Sequence, residues 1–133
     1  MSIDRIGVLG AGAWGTALAL AAQRAGRQTV LWSRRPDQAE TMRRTRENAD
    51  YLPGIVLPPG LAITSDPAEA ISDADALLLV IPAQHMRGAL AAFDIPAGIP
   101  LISAAKGIEL STDKTMSAVL RELLPNNPAA VLS

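Results

Sequence analysis

The sequence contains no cysteine. That excludes a disulfide framework, a thiol nucleophile and thiolate-held zinc or iron–sulfur clusters, and it fits a cytoplasmic setting. An excess of charge of one sign is lacking too: 12 lysines and arginines stand against 13 aspartates and glutamates, a net charge of −1. Nucleic acid and anionic membrane surfaces attract proteins through a basic surplus, so neither nucleic-acid binding nor membrane insertion is expected. Histidine occurs once, at His85, and no grouping of His, Asp and Glu suggests a metal site. Aromatic residues make up 3% of a chain that is 49% hydrophobic, so the core must be aliphatic, and intrinsic disorder is excluded. The 133 residues amount to one domain, with no repeat, low-complexity tract or linker.

What is present is an alternation. Short apolar runs at residues 6–9, 29–32, 61–64, 76–81 and 101–103 lack the polar–apolar alternation of half-buried strands, as expected of parallel strands covered on both faces. Residues 129–133 look like a sixth. Between them lie helix-like stretches. Residues 14–25 are rich in Ala and Leu and are closed by Gly26. Pro36 opens a stretch to about residue 48. Asp66-Pro67-Ala68-Glu69 reads as a cap and a first turn. Residues 83–92 follow the fourth strand, and residues 112–124 carry Met116, Val119, Leu120 and Leu123 on one face. Residues 49–60, with Pro53, Gly54, Pro58, Pro59 and Gly60, form a loop. Residues 6–22 are nearly free of charge and follow an arginine, like an export signal. Gly10, Gly12 and Gly15 within them, and the strand-like run that follows at once, argue against that. The pattern predicts an α/β fold of Rossmann type: a doubly wound, mostly parallel sheet with helices on both faces. A chain ending on its last strand suggests the N-terminal domain, residues 1–133, of a longer enzyme.

Gly10-Ala11-Gly12-Ala13-Trp14-Gly15 is G-x-G-x-x-G placed between the first strand and the first helix, the context that gives this motif its meaning. Gly10 permits the tight turn, Gly12 lets the backbone approach a pyrophosphate, and Gly15 lets the helix pack closely on the strand. The free N–H groups and positive dipole end of the helix then face a diphosphate. An NAD-specific domain places Asp or Glu at the end of the second strand, about 20 residues on. Here that strand ends Trp32-Ser33-Arg34-Arg35. A guanidinium pairs with a 2′-phosphate that a carboxylate would repel. NADPH is therefore the expected cofactor, bound by Arg34 and Arg35 unless these are merely solvated. NADH is also admitted, and FAD is less expected.

Ligands of such sheets sit beyond the carboxyl ends of the strands, where strand order reverses. Residues 82–85 and 104–107, with Pro82, His85 and Lys106, are further candidates. Lys106 stands among Ala104, Ala105 and Gly107, small neighbours that let an anionic ligand come close; a freely solvated lysine is the alternative. For His85 a surface or supporting role is favoured over a proton relay. Arg43, Arg44 and Arg46 alternate with Glu40 and Glu47, which suggests a solvated helix face.

Gly10-Ala-Gly-Ala-Trp-Gly-Thr-Ala-Leu-Ala19, Asn48-Ala-Asp-Tyr-Leu-Pro-Gly54 and Lys106-Gly-Ile-Glu109 together resemble, in order and spacing, the N-terminal cofactor domain of bacterial NAD(P)-dependent glycerol-3-phosphate dehydrogenase. The resemblance implies that Ala13 and Trp14 lie along the cofactor diphosphate. It places Arg34 and Arg35 at the adenosine end, Tyr51 over the cofactor, and Lys106 against both cofactor and sn-glycerol 3-phosphate. Ala13 and Ala83 stand where the family often has serine, which removes two polar contacts. The implied reaction interconverts dihydroxyacetone phosphate and sn-glycerol 3-phosphate, a step toward glycerophospholipids. The family's catalytic lysine would lie beyond Ser133, in a helical domain. On that basis this chain binds NADP or NAD without turnover, and the whole protein is a candidate homodimer. A related 2-hydroxyacid or hydroxyacyl dehydrogenase, or a non-catalytic nucleotide sensor, would share the glycine loop.

Overall fold

The computed structural model describes residues 2–105 and 107–132. Six strands form one parallel sheet: β1 (Arg5–Leu9), β2 (Gln28–Trp32), β3 (Ala62–Thr64), β4 (Ala76–Leu79), β5 (Leu101–Ser103) and β8 (Ala129–Val131). Their spatial order is β3-β2-β1-β4-β5-β8, so the direction of winding reverses between β1 and β4. Two-residue strands β6 (Ile108–Glu109) and β7 (Lys114–Thr115) form a separate antiparallel hairpin. Helices α1 (Ala13–Arg24), α2 (Pro36–Thr45), α3 (Pro67–Ile71), α4 (Ala83–Ala92) and α5 (Met116–Leu123) link the strands.

Each strand of the sheet's centre divides its side chains between two cores because successive residues point to opposite faces. In β1, Val8 joins Leu31, Ala19, Leu20, Met42 and Leu61 beneath α1 and α2. Its neighbour Leu9 joins Leu79, Met86, Leu90, Met116 and Leu120 beneath α4 and α5. Burial on both faces is why these runs are continuously apolar. The expected face of α5 is realised: Met116, Val119 and Leu120 are buried, and Leu123 packs on the same core. Trp32 meets Phe93 edge-on at 5.2 Å and donates its indole N–H to the Ser65 carbonyl.

Residues 6–22 are a central strand, a turn and a helix of this sheet. The structure departs from the sequence reading in several places. Residues 112–115 belong to the hairpin, and α5 begins only where the Thr115 hydroxyl caps it by accepting from the Ala118 N–H. Helix α2 stops at Thr45, because Arg46 turns left-handed with φ of 56°. Strand β4 ends at Leu79, two residues early. The last strand spans Ala129–Val131, with Ser133 outside the described residues. The arginines of α2 and its C-cap are also not all solvated. Arg43 and Arg44 are exposed as expected, although Arg43 also donates to the Ile63 carbonyl; Arg46 is half-buried and donates to those of Pro58 and Leu61. These two side chains tie the loop of residues 49–60 and β3 to α2.

Candidate functional site

Where β1 and β4 part, the chain leaves β1 through the glycine loop. Gly10 has φ of +131°, and a Cβ there would lie 2.3 Å from the Val80 carbonyl oxygen. Only glycine fits so tight a turn against β4's continuation. Gly15, in the first turn of α1, has no room either: its Cβ would meet the Gly10 oxygen at 1.8 Å. Gly12 is different. A Cβ built there meets nothing within 4 Å and points into open space, so the missing side chain serves something outside the fold. Gly12 is also the N-cap of α1. Among the described residues no side chain caps this helix, and its first turn carries no acid. The positive end of a 12-residue helix therefore faces the space that Gly12 leaves open.

That space is a cavity of about 670 Å³, within the usual range for small-molecule sites. Gly10, Ala11 and Gly12 form its floor. Arg34 and Arg35 from the end of β2 line it, with Gln38 of α2 and Tyr51 of the following loop. Val80, Ile81 and Pro82, which follow β4, Trp32 of β2, and Gln84, His85, Gly88 and Ala89 of α4 complete it. Two guanidiniums and no carboxylate stand among these residues, so the lining favours an anionic ligand. The Asp50 carboxylate reaches Arg35 from outside the lining, at 3.3 Å.

Of the residues singled out in the sequence, Gly10, Gly12, Arg34, Arg35, Tyr51 and Pro82 meet around this cavity, as does His85. Ala13, Trp14 and Gly15 occupy the first turn of α1 outside the lining; Gly15 is buried, and Trp14 is half exposed. Lys106 lies outside the described residues.

Sequence reasoning missed the polar network beneath the loop. Asn48, 1% exposed, donates from Nδ2 to the Ala11 carbonyl at 2.9 Å and to Thr16 Oγ1 at 2.8 Å. Gln38 Nε2 donates to the same carbonyl at 3.1 Å and to Asn48 Oδ1 at 3.3 Å. The buried Ser33 hydroxyl donates to Gln38 Oε1 at 2.6 Å. Every polar group of the network faces a partner, so it rigidifies the loop. The end of β2, the first turn of α2 and the start of the loop at residue 49 are thereby tied to one peptide of the glycine turn. Asn48 stands first in the Asn48–Gly54 motif, which was its only sequence signal.

Among the described residues no three His, Asp or Glu side chains come together to hold a metal ion, and no helix is long and apolar enough to cross a membrane. The family model of the NAD-dependent glycerol-3-phosphate dehydrogenase N-terminus matches residues 5–133. A glycerol-3-phosphate dehydrogenase (NAD(P)+) from Paramagnetospirillum magneticum is 51% identical over 133 residues, covering 98% of this chain and 48% of that protein. One of the same name from Azorhizobium caulinodans is 52% identical, over 99% of this chain and 40% of its own length. The crystal structure of glycerol-3-phosphate dehydrogenase from Coxiella burnetii superposes with a TM-score of 0.89 at 29% identity, over 97% of this chain and 40% of that one. The chain thus spans less than half the length of the relatives it matches.

Proposed function

The chain belongs to the NAD-dependent glycerol-3-phosphate dehydrogenase family, matching its N-terminal part, and we propose that it is the domain that holds the nicotinamide dinucleotide in an enzyme interconverting dihydroxyacetone phosphate and sn-glycerol 3-phosphate. The observation that carries this reading is the contrast among the three glycines. Two are demanded by packing, whereas Gly12 leaves room only toward the cavity and the uncapped helix. A phosphate-binding turn needs that arrangement.

In this reading the backbone N–H groups of residues 11–15 bind the cofactor diphosphate, with Ala13 and Trp14 alongside it. Arg34 and Arg35 bind the 2′-phosphate of NADPH, the favoured cofactor, and NADH is accepted. Tyr51 and Pro82 flank the cofactor. Lys106 contacts cofactor and substrate, an assignment supported by its motif with Gly107, Ile108 and Glu109. Once bound, the nicotinamide supplies the hydride chemistry; the chain's own residues orient it and balance its charge. The catalytic lysine belongs to a helical domain following residues 1–133. A homodimer, a cytoplasmic location and a place in glycerophospholipid synthesis go with the same reading.

Calorimetric titration of the 133-residue chain with NADPH tests it. Saturable one-to-one binding, abolished by Gly12→Val with no loss of thermal stability, is expected. Equal binding by both forms would refute the site. The longer protein should oxidise NADPH with dihydroxyacetone phosphate, while residues 1–133 alone should not.

A further inference from the structure

We infer that Asp50 sets how strongly this site prefers a 2′-phosphorylated nucleotide over an unphosphorylated one; the inference rests on the placing of Arg34 and Arg35 at the adenosine end. Strand β2 ends without the carboxylate that commonly receives the ribose hydroxyls. The structure supplies one from elsewhere. Asp50 Oδ2 accepts from Arg35 Nη2 at 3.3 Å, so an acid and a guanidinium stand side by side at the rim of the cavity. Asp50 precedes Tyr51, a lining residue, and follows the anchored Asn48 by two positions. The Leu52 N–H donates to the Asn48 carbonyl at 2.7 Å and the Tyr51 N–H to the same oxygen at 3.3 Å, which closes a short turn around Asp50. Its carboxylate is therefore delivered to Arg35 by a turn fastened to the glycine loop.

The chemistry follows from charge. A 2′-phosphate that takes Arg35 must displace Asp50 from the guanidinium and then sit beside its negative charge. A free ribose 2′-hydroxyl instead finds an acceptor in the same carboxylate. Asp50 thus weakens binding of NADPH and supports binding of NADH, and a site with two arginines still admits both.

The test compares NADPH with NADH, and 2′-phospho-AMP with AMP, by calorimetry on the chain and on Asp50→Asn and Arg35→Ala. Asp50→Asn keeps the shape of an exposed side chain, and a thermal melt checks that folding is unchanged. It should raise the NADPH-over-NADH preference about five-fold, with the increase shrinking as salt screens the charges. The 2′-phospho-AMP-over-AMP preference should rise in parallel. An unchanged or reduced preference in Asp50→Asn, while Arg35→Ala selectively weakens NADPH, overturns the role of Asp50 and leaves the cofactor site standing. Equal weakening of both cofactors by Arg35→Ala overturns the 2′-phosphate reading itself, and this inference with it.

Discussion

The Arg87 guanidinium grips the Glu109 carboxylate through Nε at 3.0 Å and Nη2 at 3.0 Å, and the Glu109 side chain is only 5% exposed. This pair joins α4, a wall of the cavity, to the hairpin of residues 108–115. Gln84 reinforces the join on the same helix. Its Nε2 donates to the Ile108 carbonyl, and its Oε1 accepts from the Leu110 N–H, both at 2.9 Å. Glu122 of α5 bonds both Arg87 and Lys114, so the hairpin is also held to α5. The ion pairs bind the turn after β5 to the helix that shapes the site.

Acid should loosen this join. The Arg87 guanidinium, with help from the Thr112 hydroxyl, holds the Glu109 carboxyl below its ordinary value of 4.5. The N–H groups of Asp4 and Arg5 lower that of Asp75 in the same way. The unfolded chain then binds these protons more readily than the folded one, so the stabilisation is complete above the ordinary values and is lost as pH falls through the lowered ones. Thermal melts should show a plateau above about pH 5 and a steep decline below about pH 4. Glu109→Gln should melt lower than the parent at pH 7, and the gap should narrow as pH falls below the ordinary carboxyl value. Parallel curves for the two proteins would contradict the pairing.

Asn48→Ala removes three hydrogen bonds from a buried network. Urea unfolding should show a loss of about 1–3 kcal/mol. Nucleotide affinity should fall as well, because the Ala11 peptide loses one of its two anchors. Unchanged affinity at reduced stability would mean that the network serves the fold alone.

The glycines should separate stability from binding. Gly15→Ala forces a methyl into the Gly10 carbonyl and should cost about 1–3 kcal/mol or more by urea unfolding. Gly12→Ala adds its methyl in open space and should melt like the parent while binding NADPH at least about ten-fold more weakly, a loss of about 1.4 kcal/mol.

Arg34→Ala and Arg35→Ala should each weaken NADPH about ten-fold relative to NADH, in keeping with loss of a charge-assisted hydrogen bond. Affinities from intrinsic tryptophan fluorescence would check this, because Trp32 lines the cavity.

Much of this was legible in the sequence because the signals are local. β1, β2 and β5 announce themselves as apolar runs, and the glycine loop as a spacing between a strand and a helix. The doubly wound class follows from the alternation and the handedness of crossovers. What escaped has long-range causes. The hairpin's two-residue strands are too short to show a period, and its hold comes from Arg87, 22 residues before Glu109. Asn48 reads as one more polar residue near a helix end until the fold carries it to Ala11, 37 residues away. Arg46 looks like a solvated charge until the carbonyls of Pro58 and Leu61 are in place.

The most direct measurement is an amide nitrogen–proton NMR titration of the isotopically labelled chain with NADPH. The largest shifts should fall on residues 10–15, with smaller ones at residues 33–35, at Tyr51 and at residues 82–85, all saturating together. Shifts confined to other parts of the sheet, or none at millimolar NADPH, would show that the glycine loop does not bind the dinucleotide.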